Sequence, residues 1–135
     1  SLPSTQKRLW VFDVAHGRVM FNEHVAHGSG TGDNLARRFS NEDGSHATSL
    51  GLFRTAETYQ GGNGYSMRLD GLDAGFNDRA RSRAIVMHSQ WYVSDRMASE
   101  RGKLGRSWGC FAVDRGVIAR LVDTLEDGGF IYAGR

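Results

Sequence analysis

Glycine is the residue that most limits what this chain can become. Eighteen of its 135 residues are glycine against a single proline, Pro3, about twice the usual glycine share. Each glycine weakens a helix or strand interior and eases a tight turn. The pattern therefore points to a loop-rich, mainly β fold. A chain of 135 residues is long enough for one hydrophobic core but not two. No internal repeat, low-complexity tract or linker divides it, so residues 1–135 read as one domain.

Between the glycines, several runs carry strand signals. Leu9-Trp10-Val11-Phe12-Asp13-Val14 and Val19-Met20-Phe21 read as partners across the turn Ala15-His16-Gly17-Arg18. Val25 to Gly28 reads as a short strand. It runs into Gly28-Ser29-Gly30-Thr31-Gly32, which lacks the Gly-Lys-Ser/Thr ending of a phosphate-binding loop and is expected to be a flexible surface loop. Ser49 to Thr55 and Tyr65 to Asp70 alternate as half-buried strands around the turn signal Gly61-Gly62-Asn63-Gly64. Arg83 to Met87 is a nearly continuous apolar run, expected to be a central strand ending at His88. One helix is expected: Val117, Ile118, Leu121, Val122 and Leu125 fall at helical spacing, with Asp114 as N-cap and Gly128-Gly129 as the stop. Phe130 to Ala133 gives a last strand.

Charge narrows the partners only a little. The formal net charge is +2 and the arginines are dispersed, so the basic stripe of a nucleic-acid binder is missing. No apolar stretch approaches the roughly 20 residues that cross a bilayer. Ser1 to Lys7 is polar, carries no signal-peptide pattern and reads as a trimmed end, so the compartment is not legible from these residues.

A single cysteine, Cys110, excludes an internal disulfide and a multi-cysteine zinc site. It leaves three readings: an inert buried thiol, a free surface thiol, or a nucleophile. Its surroundings favour chemistry. His88 ends a core strand and is followed by Ser89. Twenty-two residues later Cys110 closes Gly105-Arg106-Ser107-Trp108-Gly109-Cys110, just ahead of the helix-forming segment. Such strand ends and pre-helix loops are where a rigid scaffold holds reactive groups. A free thiol has a pKa of about 8.5, so a neighbouring imidazole is needed to take its proton and later to protonate a leaving amine. Gly109 lets backbone approach a substrate carbonyl, with the Cys110 amide aimed at a developing oxyanion. Spacing alone still leaves a buried thiol and a hydrogen-bonded strand-end histidine as the plainer account. His24, His27, His46 and His88 raise a zinc peptidase as another class, but they lack the helix spacing of His-Glu-X-X-His and a completing carboxylate. No metal and no cofactor is expected.

Val86-Met87-His88-Ser89 followed by Arg106-Ser107-Trp108-Gly109-Cys110 resembles the signature of the L,D-transpeptidase (YkuD) superfamily. It is most similar to the divergent murein L,D-transpeptidase branch with Arg-Ser-Trp-Gly-Cys at the nucleophile. Further blocks in order extend the resemblance: Val25-Ala26-His27-Gly28, Arg38-Phe39-Ser40-Asn41, Ser49-Leu50-Gly51, Glu57-Thr58-Tyr59-Gln60-Gly61, Leu69-Asp70-Gly71-Leu72-Asp73, Gly75-Phe76-Asn77 and Arg83-Ala84-Ile85-Val86. Trp108 stands where better-known members have a second histidine, and Phe111 where this branch has proline.

The resemblance implies a YkuD-like β-sandwich with one helix after the cysteine. It implies a peptidoglycan transpeptidase, with Cys110 attacking the L-centre carbonyl of diaminopimelate in a donor stem peptide. An acceptor amine then resolves the thioester into a cross-link. The alternatives are water as acceptor, giving an L,D-carboxypeptidase, or a silent murein-binding module. The implied roles are His88 as base and acid, Ser89 orienting it through its carbonyl, and Gly109 with Cys110 forming the oxyanion hole. Arg106, Ser107, Trp108, His27, Tyr59, Asn63 and Tyr65 are the implied substrate contacts, Arg106 as the carboxylate fork or else as a structural ion pair. Donor and acceptor stem peptides are the implied partners, the periplasm or cell envelope the implied location, and carbapenems the implied inhibitors. Oligomeric state and the type of cross-link are not legible.

Overall fold

The computed structural model describes residues 1–126 and 128–135. Seven strands and two helices follow the order β1 (Leu9–Asp13), β2 (Arg18–Glu23), β3 (Gly51–Gly61), β4 (Gly64–Gly71), β5 (Val86–Ser89), α1 (Asp95–Arg101), β6 (Phe111–Val113), α2 (Ile118–Leu125) and β7 (Phe130–Ala133). The fold is mainly β, as the glycine pattern and the resemblance imply. β1 and β2 form a two-stranded antiparallel ribbon, and the other strands form a five-stranded sheet in the order β6-β5-β4-β3-β7.

Alternation along the strands decides which way each face looks. Met67 and Leu69 of β4, Phe53 of β3, Met87 of β5, Phe111 and Val113 of β6 and Ile131 of β7 are all buried in one core. Val11 of β1 and Ile118, Leu121 and Val122 of α2 are buried in that same core, so ribbon and helix pack on one face of the sheet. Residues one step out of phase, such as Ser66, Arg68 and His88, belong to the other face. A second, smaller core of Ala26, Val93, Leu104 and Ala112 lies there.

Every pair in the sheet is antiparallel except β5 with β6, where Met87 stands beside Phe111, His88 beside Ala112 and Ser89 beside Val113. A parallel pair needs a crossover connection. Here it carries α1 and the loop ending in Cys110, and so delivers the cysteine to the head of β6 next to β5.

Several sequence expectations are refined. β5 begins at Val86 rather than Arg83, because Ala84 has a φ of 54° and breaks the extended run; His88 lies inside the strand rather than at its end. A second helix is present. Ser94 caps α1 through Met97 N–H at 3.0 Å and Gly102 closes it in a left-handed conformation. Asp114 does not cap α2 at its first turn: its carboxylate accepts Gly116 N–H at 2.6 Å in the preceding turn, while Val117 occupies the cap position without a side-chain bond. Gly28 to Gly32 is no loose surface loop either, since Gly28 and Thr31 are buried and hold other loops in place.

Candidate active site

Extending the parallel register by one residue sets Cys110 beside Val86, and Val86 N–H points at Cys110 Sγ across 3.5 Å. The thiol donates to the carbonyl of Ala84 at 3.4 Å. His88 lies two residues further along β5, on the face that Val86 shares. Its ring is almost wholly buried, and Nδ1 lies 3.0 Å from the carbonyl of Ser89. A carbonyl can only accept, so Nδ1 carries the hydrogen and Nε2 is left with the lone pair. Among the described residues no hydrogen bond occupies Nε2. Nor is it sealed away: among the described residues the one buried side-chain nitrogen or oxygen without a partner is His24 Nδ1.

Burial sets the protonation of both groups. It pushes the Cys110 thiol above its ordinary value, with Val86 N–H and the charge of Arg83 pulling partly back. It holds the His88 imidazole below its ordinary 6.5, partly offset by the Ser89 carbonyl. The resting pair is thus a neutral thiol and a neutral imidazole, not an ion pair. Among the described residues no hydrogen bond joins the two.

The loop before Cys110 is built by hydrogen bonds to its own backbone and to two other loops. Buried Ser107 donates from Oγ to the Cys110 carbonyl at 2.6 Å and accepts Gly109 N–H at 3.2 Å. The Gly109 amide is therefore engaged, and of the two expected oxyanion donors the Cys110 amide is the one without a hydrogen-bond partner among the described residues. Gly109 has a φ of 112°, a conformation that side chains avoid, and its missing Cβ would lie 2.8 Å from the Ala47 carbonyl oxygen. Ser107 N–H bonds the His27 carbonyl at 3.0 Å, and Thr48 bridges Gly28 N–H (2.9 Å) to the Gly109 carbonyl (3.2 Å).

The remaining candidates fall into separate places. Trp108 is 74% exposed and stacks face to face on His46, with ring centres 4.7 Å apart and planes within 1°. His27 is buried: Nε2 donates to the Asp33 carbonyl at 2.8 Å, which leaves Nδ1 to accept from Arg8 at 2.7 Å. Arg106 leans toward Gly32 and Asp33, 3.4 Å from the carbonyl and 3.8 Å from the carboxylate. Tyr59 pairs with Ser66 across β3 and β4, on the His88 face, and its ring lies under Arg68 at 4.3 Å. Asn63, at the hairpin tip, accepts from Gln90, the residue after β5. Tyr65 is turned toward the helix face, where its hydroxyl donates to Asp123 at 2.8 Å.

Spacing did not single out Arg83 or Ala84 as site residues, and it raised His46 only as a metal ligand. Their signal is conformational and long-range: Ala84 and His46 are the non-glycine residues with positive φ among those described, and both touch the segment from Trp108 to Cys110. The histidines weighed as metal ligands are dispersed. His24 bonds Asp95 at 2.9 Å, His27 bonds Arg8, His46 stacks on Trp108 and His88 bonds Ser89. No group of three or more metal-ligating side chains occurs among the described residues, and no helix is long and apolar enough to cross a membrane.

No curated protein and no solved structure matches the chain significantly. A protein-family model does, over residues 1–133, which takes in both cores, the parallel β5–β6 pair and the loop before Cys110. That match covers nearly the whole chain, and it makes the chain a member of the YkuD_2 family of L,D-transpeptidase catalytic domains.

Proposed function

We propose that this chain is a peptidoglycan L,D-transpeptidase working through a thioester on Cys110, with His88 as its proton carrier. The observation that carries the reading is the tautomer of His88. The Ser89 carbonyl fixes hydrogen on Nδ1 and leaves Nε2 as an unoccupied base on the strand beside the thiol. A neutral imidazole with an open lone pair is what a protonated thiol needs.

In the proposed first half-reaction, Cys110 passes its S–H proton to His88 Nε2 as sulfur attacks the L-centre carbonyl of diaminopimelate in the donor stem. The oxyanion is held by the Cys110 amide. Collapse breaks the amide to the terminal D-alanine, whose nitrogen leaves with the proton from His88. In the second half-reaction an acceptor amine attacks the thioester and gives a proton to His88, which returns it to the departing sulfur. Water in place of the amine gives the carboxypeptidase reaction from the same intermediate. Trp108 with Tyr59 and Asn63 forms the proposed cleft lining, while Ser107 and His27 hold the loop. The envelope location follows from the family's murein substrate.

Intact-protein mass spectrometry with a carbapenem, together with muropeptide product analysis, tests this. The wild type is expected to gain a covalent adduct and to release D-alanine from tetrapeptide stems, and Cys110→Ala to do neither. Wild-type turnover by a folded Cys110→Ala protein would sink the proposal.

A further inference from the structure

Arg83 stands three residues before the start of the strand that carries His88, and its side chain reaches back into the loop over residues 40–49. Nη1 donates to the Ser40 carbonyl (2.9 Å) and Ser49 Oγ (2.9 Å), and Nη2 to Ser45 Oγ (3.1 Å) and the Ala47 carbonyl (2.8 Å). Four bonds from one guanidinium to partners 34 to 43 residues away fix both charge and direction. Two of its contacts lead straight to the nucleophile. The Ala47 carbonyl oxygen it holds is one of the two atoms, with Ile85 Cδ1, that would lie 2.8 Å from a Cβ at Gly109. The carbonyl of the next residue, Ala84, accepts the Cys110 thiol.

We propose that Arg83 is the positioning residue of the nucleophile: clamped under the 40–49 loop, it frames Gly109 and Cys110 and supplies the fixed positive charge that lets a half-buried sulfur become a thiolate. The inference rests on Cys110 being the nucleophile proposed above.

The other charged or titratable groups around the sulfur do not supply that charge. His88 is neutral at rest. Tyr92 is a phenol whose own ionisation is pushed up, by burial and by the cysteine. From the loop side, Asp43 faces Arg83 and carries the opposite sign, and His46 is stacked on Trp108. Burial opposes the thiolate; Arg83 and the Val86 amide favour it. When the sulfur ionises, its proton passes to His88 or to solvent. Arg83 accepts none, since its guanidinium stays charged.

The test is the pH dependence of Cys110 alkylation by iodoacetamide, read by intact mass, on the wild type and on Arg83→Gln, Arg83→Lys and Ser45→Ala. Arg83→Gln is expected to move the ionisation midpoint up by at least about one pH unit, or roughly tenfold less thiolate at neutral pH. Ser45→Ala removes one clamp bond but no charge and is expected to lower the melting temperature while leaving the midpoint in place. A folded Arg83→Gln protein with the wild-type midpoint would overturn the proposal, as would an equal rise in Ser45→Ala. Should Arg83→Gln fail to fold, Arg83→Lys decides. Retained charge predicts a midpoint within about half a unit of wild type, and a rise of a full unit would refute the electrostatic role. Alkylation does not require transpeptidation, so wild-type protein that alkylates normally but fails to acylate would overturn the function proposed above and leave Arg83 untouched.

Discussion

Gly28→Ala is the sharpest test of how the nucleophile is held. Gly28 has no positive φ, so alanine meets no backbone objection there; the obstacle is space. An added Cβ would lie 2.2 Å from the His46 carbonyl oxygen and 2.8 Å from both the nitrogen and the Cα of Gly109. An unstrained contact needs roughly 3.5 Å, so the His46 carbonyl must retreat by roughly 1 Å and the Gly109 backbone by somewhat less. Overpacking of this kind costs about 1–3 kcal/mol, or roughly 4 °C of melting temperature per kcal/mol in a domain of this size. A misplacement of about 1 Å beside the reacting atoms costs about 100-fold in rate. Carbapenem adduct formation followed by mass spectrometry should therefore slow about 100-fold in a protein that is still folded at room temperature. Gly62→Ala is the control, since nothing lies within 4 Å of a Cβ there. A folded Gly28→Ala protein that acylates at the wild-type rate would refute the claim that the Gly28–His46–Gly109 contact sets the position of Cys110.

Three further outcomes are expected. Acylation should need the neutral form of His88, whose burial holds it below the ordinary 6.5. The rate should then be level from about pH 7 to about pH 8.5 and fall in acid with a midpoint below about 6.5; a midpoint near 7.5 in the rate profile would contradict the assignment. The same burial acts on stability. His27 and His88 both have folded-state values below the unfolded 6.5, so the unfolded chain binds more protons as pH falls through that value. Denaturant midpoints should decline on that side and hold above it. Ser107→Ala strands the Gly109 amide and the Cys110 carbonyl in a buried loop, a loss of about 1–3 kcal/mol. A thermal melt unchanged from wild type would remove Ser107 from the frame.

The β-rich character, both hairpins, α2 and the last strand were legible because their signals are local: alternation, a turn at Gly61 to Gly64, an apolar stripe at helical spacing. That His88 and Cys110 lie on or next to neighbouring strands was legible only through the motif, since the crossover that joins β5 to β6 lies between them in sequence. α1 escaped notice for a physical reason. None of its residues is buried, and Met97 and Ala98 are only partly packed on the smaller core, so no apolar period marks it. The Ser94 cap and Gly102 stop were the available signals. Arg83 escaped for the opposite reason: at the head of an apolar run it reads as the start of a strand, and its acceptors, on Ser40, Ser45, Ala47 and Ser49, lie in a mostly polar loop with no periodicity. The late start of β5 likewise depends on the backbone of Ala84, which nothing in its side chain announces.

Backbone strain around the site can be weighed against what it secures. A left-handed residue other than glycine costs about 1–2 kcal/mol, and His46 adopts that conformation with a φ of 54°. Its ring lies flat on Trp108, and an aromatic pair contributes about 0.5–1.5 kcal/mol beyond its buried area. The two figures nearly cancel, so the stack adds little to stability. Its effect is orientation: a largely exposed indole one residue from Gly109 would otherwise sample several rotamers at solvent temperature. Backed by His46, which Arg83 steadies through Ser45 and Ala47 on either side, the indole keeps one face fixed beside the nucleophile. The same guanidinium that holds the Ala47 carbonyl beside Gly109 thus also steadies the indole, so the loop over residues 40–49 frames Cys110 together with the strand bearing His88.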